Sequence, residues 1–208
     1  MKIAILLFIQ LAGTILFQAC DKSFKSDNRV NTGIISITSD IHSFMPDTSI
    51  NGLLFLNNPA SIKNGFGDIM SLLEKEKDYP DLYLLDSTKK EYLRMVLFPG
   101  SSRNSISQFE VGYYADLPAA TKITTSRFLS FYTESQLKLG ISKEQSIQIK
   151  ESDYKEEKGK NNQIIIRYVL NDFNKSAFLK RYNMPVYFAE YWFKENKLIK
   201  YWFGFEYP

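Results

Sequence analysis

Apolar side chains recur at every second residue through much of this chain, and this spacing limits the folds it can form. Two segments show the alternation most clearly: Phe109, Val111 and Tyr113 in the first, and Ile164, Ile166, Tyr168 and Leu170 in the second. Because successive side chains of a β-strand point to opposite faces, the pattern predicts strands with one buried face. Further strands are predicted at residues 33–38, 82–85, 92–98 and 127–133, and two aromatic strands end the chain. An antiparallel sheet is therefore expected.

Helix signals are few and short. Asn58 followed by Pro59 is a typical start, Asp68 is a candidate cap for a second short helix, and Ser142 with Gln145 forms a capping-box pattern. Each half of the chain reads as strand, helix and three strands, and the halves keep nearly the same spacing. The sequence predicts an α+β fold of two tandem helix-plus-three-strand repeats, over residues 33–117 and 118–208, with the short helices packed on one face of the sheet.

The N-terminus has the features of an export signal. Lys2 precedes an uncharged stretch from Ile3 to Phe17, which is shorter than the roughly 20 residues that a membrane-spanning helix needs. The run Leu16-Phe17-Gln18-Ala19-Cys20 resembles the bacterial lipobox, with a small residue before the lipid-accepting cysteine. The resemblance implies a signal peptide over residues 1–19 and a lipid on Cys20. The alternative is an ordinary secretory signal with an incidental cysteine.

Lipid on Cys20 implies an address at the cell envelope, on either the outer or the cytoplasmic membrane. Two or three acyl chains hold a protein on a membrane almost permanently, since each buried methylene contributes roughly 0.8 kcal/mol. Residues 21–31 are mostly polar and lack periodicity, so residues 20–31 are interpreted as the lipidated cysteine and a flexible tether. A globular α+β domain is expected over residues 32–208. Cys20 is the chain's one cysteine, which excludes internal disulfides.

The composition gives no catalytic signature. The net charge of +3 is too small for a nucleic-acid footprint, so no nucleic-acid partner is expected. His42 is the single histidine, and multi-histidine metal sites and Cys–His catalysis are excluded. We expect no cofactor and no enzyme activity, and we interpret His42 as a structural or surface histidine. A carboxylate-based hydrolase using a pair such as Asp81 and Asp86 is the alternative.

Residues 137–144, Leu-Lys-Leu-Gly-Ile-Ser-Lys-Glu, resemble the opening of the repeats in β-lactamase-inhibitor-protein-like domains. That group includes a small outer-membrane lipoprotein of the barrel-assembly machinery. The resemblance implies a helical pair packed against an antiparallel sheet and a role in binding protein. It covers about fifteen residues and carries no family binding residues onto this chain.

The two terminal strands supply the candidate binding residues. A three-residue loop from Lys194 to Asn196 would pair Phe193 with Lys197, Glu190 with Lys200 and Phe188 with Trp202. This register predicts a core side made of Tyr187, Ala189, Tyr191, Phe193, Ile199, Tyr201, Phe203 and Phe205. The opposite side mixes aromatic and charged residues, as interfaces do, and consists of Phe188, Glu190, Trp192, Leu198, Lys200 and Trp202. The alternative is that loops or the other half of the chain cover it.

We therefore expect a membrane-anchored envelope lipoprotein that acts as a non-catalytic binding or scaffold module. Its partner would be a protein, peptide or glycan held against an open face of the sheet. The alternative function is the envelope hydrolase built on carboxylates.

Overall fold

The computed structural model describes residues 44–66, 78–100, 104–151 and 153–206. The predicted signal peptide, Cys20, the tether, the strand at 33–38, His42 and the helix after Asp68 lie outside these residues.

The described chain builds a mostly antiparallel sheet of eight strands. Its strands are β3 (Asp81–Leu85), β4 (Glu91–Leu97), β5 (Ile106–Tyr113), β6 (Thr124–Thr125), β7 (Lys155–Lys158), β8 (Ile164–Leu170), β9 (Val186–Lys194) and β10 (Lys197–Glu206). The spatial order is β6-β3-β4-β5-β10-β9-β8-β7, and the pairing of β3 with β6 is parallel. The sheet contains two meanders, β3-β4-β5 and β8-β9-β10, and the pairing of β5 with β10 joins them at the centre. A separate pair comes earlier in the chain, β1 (Ser49–Ile50) with β2 (Leu54–Phe55).

Three short helices are present in the described ranges: α1 (Pro59–Phe66), α2 (Lys143–Lys150) and α3 (Ala177–Tyr182). The Asn58 side chain accepts a hydrogen bond from the N–H of Ala60 at 3.0 Å. The capping box is formed, since Ser142 Oγ accepts from the N–H of Gln145 at 3.2 Å and the Gln145 side chain accepts in return at 2.9 Å. Both predicted helix starts are confirmed because capping is a local interaction.

One face of the sheet and all three helices share a single apolar core. Met95, Phe109 and Tyr201 are buried in the centre of the sheet, while Ile62 of α1 and Leu179 of α3 join the same cluster. Ile147 of α2 packs against this cluster. The predicted α+β class with an antiparallel sheet is confirmed.

One predicted strand was wrong. The strand expected at 127–133 is absent: Thr133 forms an isolated bridge with Ile50 of β1, and Tyr132 forms one with Lys138. The charged run at 155–158 forms β7 at one edge of the sheet. Its exposed lysines and glutamates suit an edge, since charge discourages pairing with another chain.

The register of the terminal hairpin also differs from the prediction. Lys194 pairs with Lys197 across a two-residue turn, with Glu195 and Asn196 both at positive φ, 49° and 61°. A two-residue turn of this kind matches the twist of the strands, but it normally contains glycine. Because Glu195 and Asn196 include no glycine, the sequence did not indicate a two-residue turn.

A β-bulge at Ile199 changes which side chains of β10 point to each face of the sheet. Before it, Leu198 pairs with Phe193, and after it Lys200 pairs with Trp192. Leu198 is therefore fully buried on the core side, and its predicted place on the open side was wrong. Ile199, predicted for the core, lies outside it.

The pairs predicted beyond the bulge were wrong as well, since Glu190 faces Trp202 and Phe188 faces Gly204. The total shift is two residues, however, and a strand repeats every two residues. Each of these side chains therefore keeps its predicted face.

Candidate functional site

The sheet has a second face, opposite the core, which we call the outer face. Directly paired residues share a face, so the register assigns its members. At its centre lie Tyr83, Tyr92, Arg94, Gln108, Glu110, Phe188, Glu190, Trp192, Lys200 and Trp202. Five of the six predicted binding residues are thus brought together, and Leu198 is not among them. Phe188 is buried within the face, whereas the other four are partly exposed.

The aromatic side chains of the outer face form a continuous cluster. The Phe188 ring meets Trp202 edge to face at 5.1 Å, and Trp202 lies 6.5 Å from Trp192 with nearly parallel planes. Lys200 Nζ lies 4.1 Å from the centroid of the Trp192 ring, a cation–π contact. The indole N–H of Trp202 donates to Gln108 Oε1 at 3.1 Å. Trp202 is therefore held in place by a ring contact and a hydrogen bond.

Arg94 organises the charges on the first half of the outer face. Its guanidinium contacts Asp81 Oδ2 at 2.9 Å and Glu110 Oε2 at 3.5 Å, and it lies 5.8 Å from the Tyr83 ring. The Tyr92 hydroxyl donates to Glu110 Oε1 at 2.6 Å. Burial and the Glu110 charge raise the pKa of Tyr92 far above its usual value, so this hydroxyl stays protonated. Both carboxylates are thereby engaged.

Arg167 plays the same part on the second half. It contacts Glu190 Oε1 at 3.4 Å and Glu206 Oε1 at 3.2 Å. Burial raises the pKa of Glu190, and the positive charges of Arg167 and Lys200 partly offset that rise. Each of the two arginines thus contacts two carboxylates, and these four carboxylates surround the aromatic cluster.

A concavity of about 670 Å³ lies on the outer face beside Trp192. Its floor includes Tyr92, Gly112, Ile199 and Lys200, and its walls are the loop residues 116–118 together with Asn161 and Gln163. Gly112 is required here, because a Cβ at this position would lie 2.7 Å from Tyr92 Cε1. The size is in the range of small-ligand and peptide pockets.

Sequence reasoning missed the half of this site that the first meander supplies. Tyr83, Tyr92, Arg94 and Glu110 lie 82 or more residues before Trp192 in the chain, and only the pairing of β5 with β10 joins them to it. Strand alternation assigns each of these side chains to one side of its own strand. It carries no information about which strands are neighbours.

The carboxylate pair considered for hydrolysis is not arranged across a cleft. Asp81 and Asp86 lie at opposite ends of β3, roughly 16 Å apart along a strand, whereas glycosidase pairs lie about 5 to 10 Å apart. Asp86 is buried in the turn after β3 and accepts hydrogen bonds from Thr88 Oγ1 and the N–H groups of Lys90 and Glu91. Burial raises the pKa of Asp86, but these hydrogen bonds outweigh it and leave the pKa below its usual value. This carboxylate therefore caps a turn.

Within residues 44–206, gaps excepted, no three His, Cys, Asp or Glu side chains are grouped as metal ligands. None of the helices in the same ranges has the length and apolar character needed to span a bilayer.

Comparison with known proteins returns no match: no family model, no curated protein and no solved structure resembles the chain significantly.

Proposed function

We propose that this protein is a lipid-anchored envelope module that binds a protein partner through its outer face and catalyses no reaction. The observation that carries the proposal is the cluster of Phe188, Trp192 and Trp202 on a face opposite the core, with both tryptophans partly exposed. Tryptophan is the residue most enriched at the energetic centres of interfaces. The surrounding Arg–carboxylate pairs give this face the polar surround that interfaces have.

The anchor is proposed from the lipobox-like run that ends at Cys20. Such an anchor makes no demand on the folded domain, which is free to use its surface for a partner. In the wild type we expect an N-terminal mass increase of lipid size and partition into detergent. Cys20→Ser should abolish both, and a wild-type protein that stays in the aqueous phase would contradict the anchor.

We also propose that the two meanders are tandem repeats. In support, the order β3-β4-β5 is followed across the sheet by β10-β9-β8, as two related halves joined at their third strands would be. Residues 137–144, which resemble the repeats of β-lactamase-inhibitor-protein-like domains, lead into the capped helix α2. The resemblance agrees with a protein partner.

The test separates binding from folding. Crosslinked capture from native membranes should be lost in Trp192→Ala and Trp202→Ala, while their melting temperatures change little. Tyr191→Ala and Phe203→Ala, in the core, should instead destabilise the fold by about 3–5 kcal/mol.

Leu129→Ala is the matched control, since Leu129 is 75% exposed away from the tryptophans and its loss should leave capture unchanged. If both tryptophan variants unfold as readily as the core variants, the outer face is a second core and the proposal fails. If capture survives both substitutions in folded protein, the partner binds elsewhere.

A further inference from the structure

Lys200 differs from the other cations at the centre of the outer face. Arg94 and Arg167 each contact two carboxylates. Lys200 forms no ion pair and donates no hydrogen bond to any described residue, and its one marked contact is the Trp192 ring. The nearby Glu190 forms its ion pair with Arg167, and the charge of Lys200 opposes the rise that burial causes in the pKa of Glu190 without a direct ion pair. A partly buried ammonium group is therefore left with its hydrogen-bonding capacity unused.

The surroundings of Lys200 offer a second unused donor. Lys200 and Trp192 both line the 670 Å³ concavity, and the Trp192 indole N–H has no acceptor among the described residues. Leu117, Pro118 and Ile199 add apolar surface to the same cavity. Glu110, which also lines it, is already engaged by Tyr92 and Arg94. The cavity thus combines a cation, a neutral N–H donor and three apolar side chains among polar ones.

We propose that this concavity binds the free carboxylate of a peptide segment of the partner, with Lys200 as its counter-ion and the Trp192 N–H as a second donor. The inference rests on the proposed function, because it uses the same face. An ammonium group beside an indole N–H provides donors for the two oxygens of a carboxylate. Leu117, Pro118 and Ile199 offer an apolar surface for the side chain that precedes the carboxylate, and a volume of about 670 Å³ suits a short peptide.

The balance of charge favours a carboxylate over a phosphate group. A phosphomonoester carries a charge of about −1.5 to −2 and is usually met by several cations or an arginine fork. Here Lys194 is the second lysine of the cavity, and the acidic Asp116 lies on the wall. Lys194 is exposed, so Lys200 is the lysine that lies beside Trp192 at the floor, and one ammonium group matches a single negative charge.

Titration calorimetry on the mature protein in detergent micelles tests the proposal. The probes are the tripeptide acetyl-alanyl-leucyl-alanine with a free carboxylate, the same tripeptide as its C-terminal amide, and inorganic phosphate. The chain's two tryptophans both lie on the outer face, so their fluorescence gives an independent readout. We expect saturable binding of the acid, and affinity lower by about tenfold to a hundredfold for the amide, the scale of a lost charged hydrogen bond.

Three variants sharpen the test. Lys200→Met keeps the length of the side chain without the charge and should weaken the acid peptide by the same factor. Lys200→Gln is the alternative if the methionine variant melts early. Lys197→Met is the matched control, because Lys197 is an exposed lysine of the same strand outside the cavity, and we expect unchanged affinity.

Several outcomes would overturn the inference: equal affinity for acid and amide, no effect of either Lys200 variant, no saturable binding at millimolar peptide, or phosphate competing as well as the acid. Its failure is distinguishable from failure of the proposed function. If capture of the native partner needs the tryptophans but not Lys200, the outer face binds a partner and the carboxylate site does not exist.

Discussion

The buried ion pair between Asp47 and Lys150 offers the sharpest test of how this fold is held together. Both side chains are 1% exposed, and Lys150 Nζ lies 2.5 Å from Asp47 Oδ2. Lys150 also donates to the carbonyl of Met45 at 3.1 Å, and Ser135 donates to the Asp47 carboxylate. The pair therefore links the first described residues to the last residue of α2.

We expect Lys150→Met to destabilise the protein by about 3–5 kcal/mol at pH 7, because it leaves a carboxylate buried without its counter-ion. That is a large share of the 5–15 kcal/mol by which domains of this kind are stable. Asp47→Asn should cost a similar amount by stranding the ammonium group. The double variant should lie within about 1–2 kcal/mol of the wild type, since neither buried charge remains.

The cost of Lys150→Met should depend on pH in a defined direction. Burial raises the pKa of Asp47 above 3.8, and the charge of Lys150 opposes that rise, so its removal raises the pKa further. A raised folded-state pKa means that stability falls as pH rises from 3.8 through the raised value. The deficit of the variant relative to wild type should therefore shrink as the pH is lowered from 7 towards 4.

Urea unfolding of the mature protein across this pH range measures these differences. Lys143→Met is the matched control, because Lys143 lies on the same helix in a partly exposed pair with Glu156 at 3.0 Å. Its loss should cost less than about 1 kcal/mol. The reasoning is refuted if Lys150→Met costs no more than this control, or if the double variant costs the sum of the two single variants.

The remaining predictions concern close packing, a turn and two buried hydroxyls, each measurable by thermal or urea unfolding. Gly204→Ala should lower the free energy of unfolding by more than about 2 kcal/mol. Gly204 has a φ of +149°, and a Cβ there would lie 2.3 Å from the carbonyl oxygen of Ser107. An unchanged free energy of unfolding would contradict this close approach of β10 to β5. Asp86→Asn should lower the free energy of unfolding by about 1–3 kcal/mol at pH 7. Because the pKa of Asp86 is lowered in the folded protein, the carboxylate stabilises the fold above pH 3.8, and this stabilisation is lost as the pH falls below that value. The stability of the variant should therefore depend less on acid than that of the wild type. Tyr191→Phe should change the free energy of unfolding by less than about 0.5 kcal/mol, because its buried hydroxyl has no hydrogen-bond partner among the described residues. Tyr201→Phe should lower it by about 1–2 kcal/mol, because it removes a 3.0 Å hydrogen bond to a backbone carbonyl. Equal effects of the two substitutions would contradict this assignment of the hydroxyl groups.

Local interactions explain which predictions from sequence were correct. The caps at Asn58 and Ser142 involve residues within three positions, so the sequence contains the whole interaction. Helix α3 was missed because it has six residues and lacks an acidic first turn, although Ser176 caps it by accepting from the N–H of Leu179. The candidate site was half predicted, since one hairpin supplies the tryptophans and a distant meander supplies the tyrosines and Arg94.

Outside the bulge at Ile199, the sequence by itself determined which side chains of a strand share a face, because that follows from the two-residue period of a strand. It determined the class of the fold and the aromatic character of the outer face. The tertiary structure decided the register of the terminal hairpin, the bulge that buries Leu198, and the pairing of β5 with β10 that completes the concavity. These features depend on contacts between segments that are far apart in the chain. Trp202, for example, pairs with Glu190 on one neighbouring strand and with Glu110 on the other. No local sequence pattern specifies such a register.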